Sequence, residues 1–522
     1  MRIIERVKNW FRRGAYRLTE KELQTINDHP KINIDPQELQ RINKNFIDYQ
    51  GKYPKVEYIN SMGHLKKRDY FYLNMTKLTA EYLAGLVFNE QCEINISDAE
   101  DDNESNSYQN AHDFISHVFE HNDFIKNLSR YLEPMYATGG IAVRPYVNQL
   151  TGNIEFSWAL ADAFFPLKST SNGVSEGVMM FKSMQVDGDK TKHYTLLEFH
   201  EWEQSESGEN LYVITNELYE SDSPDLIGKR IPLSERYEGL EETTVFKGLS
   251  RPQFNYCKPS GFNNISPHSP LGLSITDNAK PIIKKINDTY DEFYWEIKMG
   301  KRTVFVDDSM LNTLPTEDGR PPKQVFDPDV NVFKSTRFRD GDAVVDVTSD
   351  IRVEQYTSAI NSSLRLLEME LKFSPGTFSF DGKSVKTATE ITSENSLTYR
   401  TRNQEVNEVE KFIKGLIVST LELAKASKYN GKPLFNGEIP TFEHIGVDFD
   451  DGIFVDKMQQ LNFLGKSKMY GLIPSVEAIK RLFEVPKEVA EEWAKQIQAD
   501  QLGIDPMHIQ QQREEDLYGD EE

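Results

Sequence analysis

The sequence predicts a helix-rich α+β protein. Three observations carry that reading. Apolar residues recur at helical spacing through residues 71–88 (FYLNMTKLTAEYLAGLVF) and again through 114–132. The runs YTLLEFHEWE (194–203) and NLYVITNELYE (210–220) alternate as strands do, and the turn-rich SESGE between them reads as a hairpin loop. Residues 387–426 hold no proline and a single glycine, Gly415. They predict one helix of roughly 40 residues, about 60 Å long at 1.5 Å per residue.

The elements follow in order. The N-terminus, MRIIERVKNWFRRGAYR, is basic, with apolar Ile3, Ile4, Val7, Trp10 and Phe11. It lacks the unbroken apolar core of a signal peptide. It fits an arm that docks on a partner subunit or a phosphate-rich surface, or an amphipathic helix lying on a membrane. Residues 36–170 read as mostly helical, with the acidic run SDAEDDNE (97–104) as a solvated loop. The glycines of ATGGIAVRPYV (137–147) end a helix and start a strand. Residues 174–220 are β-rich, and the Pro/Gly/Asn-rich stretch 251–272 reads as a boundary.

A helix over 274–299 comes next, with Ile282, Ile283, Ile286, Tyr290, Phe293, Tyr294 and Ile297 as its apolar stripe. Its other face holds Lys284, Lys285, Asp288, Asp291, Glu292 and Glu296, and Pro281 should kink its first turns. Residues 301–350 carry the strand-like runs RTVFVDD, KQVFDPDVNVF and DAVVDVT, separated by TEDGRPP and RFRDGD. A second helix runs over 353–372, with Ile360, Leu364, Leu367 and Leu371 on its buried edge. A short loop leads into the long helix, for which Thr387 and Glu390 supply a capping box. Its first half is polar; its second half puts Val409, Phe412, Ile413, Leu416, Ile417 and Leu421 on one side. Residues 430–455 return to short strands, 456–498 read as three short helices, and 499–522 are Gln- and acid-rich, a composition that predicts a disordered tail.

Bulk properties exclude several classes. The 522 residues allow two to four domains, each with a core. The formal net charge of −23 opposes nucleic acid, anionic membranes and like chains, where a conventional DNA-binding protein carries the opposite sign. Two cysteines, Cys92 and Cys257, give neither a disulfide framework nor a zinc spacing. No stretch approaches the 18 apolar residues of a membrane span.

Three motifs carry possible chemistry. Gly376-Thr377-Phe378-Ser379-Phe380-Asp381-Gly382-Lys383-Ser384 resembles a nucleotide-binding loop with one residue too many between the glycines. Its preceding segment, LRLLEMELKF, has helical rather than strand spacing, which argues against a phosphate cradle. His117-Val118-Phe119-Glu120-His121 matches an H-x-x-E-H zinc pattern, with His112 nearby in sequence. Its apolar partners also fit an ordinary amphipathic helix with exposed histidines, and no third ligand is evident. Asp448-Phe449-Asp450-Asp451-Gly452 is acidic but lacks calcium-loop spacing. No nucleophile constellation is present, so no cofactor and no enzymatic activity are expected. A nucleotide- or zinc-dependent enzyme, or an assembly protein, are the alternative readings.

The order helix, small β module, helix, glycine-containing loop, very long helix resembles the phage portal protein family. The wording is most like that of portals from long-tailed (siphovirus-type) phages of Gram-positive bacteria. The residues that carry it are YATGGIAVRPY (136–146), SPGTFSFDGKSVKTATEITSENSLTYRTRNQ (374–404) and VDFDDGIFVDK (447–457). The resemblance implies a portal-like architecture: a basic arm at 1–35, a wing at 36–273, stem helices at 274–300 and 353–372, and a clip at 301–352. It further implies a tunnel loop at 373–386, the long helix and remaining wing at 387–455, crown helices at 456–498, and an acidic tail at 499–522. It implies a homo-oligomeric ring, typically of twelve subunits, at one capsid vertex of a virion assembled in the host cytoplasm. Double-stranded DNA would pass through the ring. Terminase large subunit, major capsid and scaffolding proteins and a head-completion (adaptor) protein would be partners, without a membrane. In the tunnel loop, Phe378, Phe380, Lys383 and Lys386 are the DNA-channel candidates, Lys383 and Lys386 as contacts to the DNA backbone. Phe378 and Phe380 have packing on the loop's own helices as the other reading. A strongly acidic conduit fits DNA that must slide, since tight cation–phosphate contacts would hold it in place.

Overall fold

The computed structural model describes residues 22–60, 63–88, 92–97, 108–188, 190–300, 304–307, 312–314, 323–325, 333–337, 344–346, 350–380, 396–449, 457–483, 490 and 493–498. Contacts divide the chain into two units, Met1–Asp450 and Asp451–Glu522. The basic arm up to residue 21, the capping box at Thr387 and Glu390, and the acidic tail lie outside the described residues.

The first unit opens with α1 (Pro36–Gln50), which has Pro at its start, Asp35 as N-cap and left-handed Gly51 as C-cap. A hairpin of β1 (Val56–Ile59) and β2 (Leu65–Arg68) follows, then α2 (Met75–Val87) and β3 (Glu93–Ile96). The single helix expected over 114–132 is two: α3 (Gln109–His121) and α4 (Phe124–Thr138). Asn122 makes the break. Its side chain donates to the Val118 and Ile154 carbonyls, both at 2.8 Å, and accepts from the Phe156 N–H at 3.0 Å. Asp123 then turns through φ 46°.

The expectation of a mostly helical 36–170 stops at Thr138. Gly139, at φ 107°, ends α4, and β4 (Ile141–Val147), β5 (Ile154–Leu160) and β6 (Phe164–Thr170) follow. The predicted β region is seen as β7 (Gly173–Asp187), β8 (Lys190–Gln204) and β9 (Asn210–Ser221), with β10 (Lys229–Ile231) and β11 (Thr243–Lys247) both paired to β9. The sheet order is β10–β9–β8–β7–β6. The 251–272 stretch is no plain boundary, because its β12 (Asn255–Cys257) pairs with β4 in a sheet of order β12–β4–β5.

Helix α5 (Lys280–Met299) starts six residues later than the expected residue 274, after turns whose polar groups converge on Asp277. Asp277 accepts from the Ser274 N–H at 2.8 Å and from Arg41 of α1 at 2.7 Å. Pro281 therefore falls at the helix N-terminus, where a missing N–H is harmless, and introduces no kink. The small β module holds β13 (Val304–Asp307), β14 (Asn312–Leu314), β15 (Lys323–Val325), β16 (Phe333–Thr336) and β17 (Val344–Asp346). β13 pairs parallel with β16 and antiparallel with β17, while β14 and β15 form a separate pair.

Helix α6 (Val353–Glu370) runs beside α5, and α7 (Ser396–Ala426) follows the loop. Residues 415–424 of α7 are buried on every side rather than on one, so the helix threads the core. β18 (Lys428–Tyr429) and β19 (Lys432–Pro433) form a short hairpin, and β20 (Ile445–Asp448) pairs with β3. The main core joins α2–α7 with β4 and β5 through residues such as Leu83, Leu128, Ile286, Leu367 and Leu416. The second unit contains α8 (Lys457–Met469) and α9 (Ser475–Phe483), with residues 493–498 helical.

Candidate functional site

The loop between α6 and α7 folds back along the helix it leaves. Lys372 (φ 56°) and Gly376 (φ 88°) supply the two left-handed turns. Ser374 ties the loop to the start of α7: its N–H donates to the Thr398 hydroxyl, which in turn donates to the Ser374 hydroxyl, both at 2.9 Å. The Thr401 hydroxyl donates to the Lys372 carbonyl at 2.9 Å.

The centre of the loop is built on Glu368 of α6. Its carboxylate accepts the N–H groups of Phe378 (2.5 Å), Ser379 (2.6 Å) and Gly376 (3.1 Å), and the Ser379 hydroxyl (3.0 Å). A run of backbone N–H groups around a left-handed glycine is an anion-binding nest. Here the anion is the chain's own side chain, so the N–H groups of Gly376, Phe378 and Ser379 are already used. One side of Asn361 pairs with Phe380: its carbonyl accepts the Phe380 N–H at 2.7 Å, and its amide donates to the Phe380 carbonyl at 3.2 Å.

The two aromatic candidates separate. Phe378 is half-buried, its ring 5.6 Å from Tyr82 of α2 and 5.8 Å from Phe373. Phe380 is 78% exposed. Lys383 and Lys386 lie outside the described residues, as do Gly382 and Ser384.

Helix α6, which leads into this loop, is joined to α5 at its far end. Phe293 stacks on Tyr356 at 5.1 Å, and the Arg352 guanidinium meets the Glu296 carboxylate at 2.6 Å. That hydrogen bond, with one from the Arg352 N–H, holds the Glu296 carboxyl down at about 2, well below the ordinary carboxylate range. The charged face of α5 is partly covered. Arg68 of β2 grips Asp291 with two hydrogen bonds, 2.5 and 2.6 Å, and the Tyr70 hydroxyl donates to Asp288 at 2.8 Å. Burial pushes the Asp291 carboxyl up, but Arg68 and the Phe71 N–H together bring it below its usual value. Asp291 and Asp288 are thus not a free acidic face, because the β1–β2 hairpin and the segment after it lie against them.

The remaining motifs stay apart. His117, Glu120 and His121 are exposed on α3, and His112 is half-buried, with its Nδ1 accepting the Ile96 N–H at 3.4 Å. Asp448 lies on β20 opposite Glu93, while Asp450 and Asp451 lie outside the described residues. Among the described residues no group of three or more His, Cys, Asp or Glu is placed to hold a metal ion. Cys92 and Cys257 are buried free thiols. No described helix is long and apolar enough to cross a membrane.

Glu368, Asn361, Tyr82 and Thr398 are the site residues that the sequence motifs miss. One signal existed: Glu368 breaks the buried edge Leu364–Leu367–Leu371, a local conflict that often marks a functional position.

No curated protein sequence matches this chain. Among solved structures it is similar to a chain titled "Neck of empty GTA particle computed with C6 symmetry", at 11% identity and a TM-score of 0.38. That likeness covers 79% of this chain and 89% of the other, and at such a TM-score it carries no argument. The family model described as "Phage portal protein, SPP1 Gp6-like" matches residues 28–502. A match over that much of a 522-residue sequence places it: the chain belongs to the SPP1 Gp6-like phage portal protein family.

Proposed function

We propose that the chain is the subunit of a closed ring at one capsid vertex, the conduit through which double-stranded DNA is packaged and later leaves. The observation that carries this is the family match over residues 28–502. In this reading α5 and α6 are the stem around the channel, the β module between them is the clip, and the loop after α6 is the tunnel loop. The clip docks terminase large subunit and later the head-completion protein. Major capsid and scaffolding proteins meet the outer surface. The ring holds twelve subunits, in a long-tailed phage of Gram-positive bacteria whose particles assemble in the host cytoplasm. The subunit performs no chemistry of its own.

Two features support a ring. Ile297 and Met299 of α5 and Val353, Leu366 and Met369 of α6 are exposed apolar side chains that adjacent copies would cover. A closed ring of identical subunits uses two different complementary faces, and helices with one packed and one open side provide them.

DNA packaging tests the proposal. Shells assembled with this chain should, with terminase and ATP, protect DNA from nuclease, and shells assembled without it should not. Equal protection in both would sink the conduit reading.

A further inference from the structure

Two β-strands that pair only with each other are marginal in water. Strands β1 and β2 form such a sheet, and among the described residues no third strand joins it. One face of the hairpin is fastened to α5. The Tyr58 ring lies 5.2 Å from Trp295, and the Arg68 guanidinium lies 4.7 Å from the same ring while it grips Asp291. The other face carries the cross-strand pairs Ile59–Leu65 and Glu57–Lys67, the second joined at 2.8 Å. Ile59 is 72% exposed and Leu65 62%. A cross-strand apolar pair left in water is surface that a partner would cover.

Helix α5 separates this hairpin from α6. At about 100° per residue, the residues that hold the hairpin and the segment after it (Asp288, Asp291, Tyr294 and Trp295) lie roughly opposite Phe293 and Glu296, which hold α6. The hairpin therefore forms one flank of the subunit and α6 the other. The two flanks are level. Arg68 and Tyr58 meet α5 from Asp291 to Trp295, and Tyr356 and Arg352 meet it from Phe293 to Glu296. Their charges are opposite. The hairpin exposes Lys66 next to Leu65. The start of α6 exposes Val353 with Asp350 and Glu354, while its Arg352 is taken up by Glu296.

We propose that the β1–β2 hairpin of one copy docks on the start of α6 of the next, Ile59 and Leu65 against Val353, and Lys66 against Asp350 and Glu354. The proposal rests on the ring reading and names two surfaces that close the ring. Neighbours in a closed ring are related by rotation about its axis, so each contact joins two different flanks at one height. With α5 along the axis, the hairpin and α6 meet both conditions. Hairpin against hairpin would set Lys66 against its own copy, and α6 against α6 would do the same for Glu354, so charge selects the mixed pairing.

Cysteine cross-linking of the full chain tests the docking. Leu65→Cys with Val353→Cys in one chain, treated with a short bismaleimide at moderate salt, should give a ladder of linked species that ends at the closed ring. Each substitution alone should give no linked product, since Cys92 and Cys257 are buried. A mixture of the two single variants should stop at dimers. Adding Lys66→Glu to the double-cysteine chain should cut the ladder at least about fivefold by setting like charges together. Adding Glu354→Lys as well should restore it, a rescue that a misfolded hairpin would not show. Rings in the electron microscope without the ladder overturn the docking and leave the ring reading standing. Linked species without closed rings do the reverse. Products in either single variant also overturn the docking, because the contact would then join like surfaces. Monomers with no linked species overturn both.

Discussion

Gly139 ends α4 at φ 107°, and a Cβ there would stand 2.6 Å from the backbone oxygen of Gly272. No L side chain fits that conformation and that space together. Gly139→Ala is expected to destabilise the first unit by roughly 2–3 kcal/mol, read as a lower urea midpoint. Five residues on, Arg144 meets the buried carboxylate of Glu198 at 2.5 Å, and His200 meets it at 2.8 Å. Burial pushes the Glu198 carboxyl up, but the Arg144 charge and the His200 contacts bring it below its ordinary value. Arg144→Ala strands that carboxylate and should cost about 3–5 kcal/mol near neutral pH. The loss should shrink as pH falls through the carboxylate range, beginning above the ordinary glutamate value, because burial without Arg144 raises the Glu198 carboxyl and the variant takes up its proton first. The helix-ending role of the glycines at 139–140 was legible in the sequence because glycine needs no partner to explain it. The Arg144–Glu198 pair was not, because nothing local joins residues 54 apart across two sheets. Glu368 showed only as a charge interrupting a buried edge; the backbone N–H groups it accepts lie eight to eleven residues on and leave no mark in the helical pattern.

At the scale of elements, helical periodicity located α5 and α6, and the strand alternation located β8 and β9, because each pattern is written within a few turns or residues. Errors arose where a distant segment intervened. Arg68 comes from a hairpin 223 residues away and covers part of the charged face of α5, a contact that no local pattern shows. The polar turn around Asp277 delays the start of α5 because Arg41 of α1 claims it. The helix pair carries its own pH prediction. Glu296 sits at about 2 in the folded chain, below the unfolded value of about 4.3, so its bond to Arg352 stabilises the junction above that range. This contribution is lost as pH falls through about 2, and Asp291, also shifted down, follows the same sign. Amide exchange near Arg352 should therefore quicken between about pH 4 and pH 2, and Arg352→Ala should abolish that pH dependence. The loop carries another prediction. Lys383→Ala with Lys386→Ala should lower the amount of DNA packaged and retained, and unchanged packaging would remove these lysines as DNA contacts.

For the molecule as a whole, the exposed apolar side chains on α5 and α6 and the net charge of −23 pull in opposite directions. Like charges on neighbouring subunits repel beyond contact, and salt screens that repulsion over about 10 Å at 0.1 M. Ring formation should therefore rise with ionic strength, seen as a shift toward larger species in sedimentation between low and moderate salt. The overall architecture was legible as an order of elements more than as a composition, since an acidic helix-rich chain fits many assemblies. Electron microscopy of the purified chain at moderate salt is the most direct test. Closed rings of about a dozen subunits, with α5, α6 and the loop after Phe380 lining the central hole, are the expected result. Monomers or open chains at all salt concentrations, or rings whose hole is lined by other elements, would contradict the conduit reading.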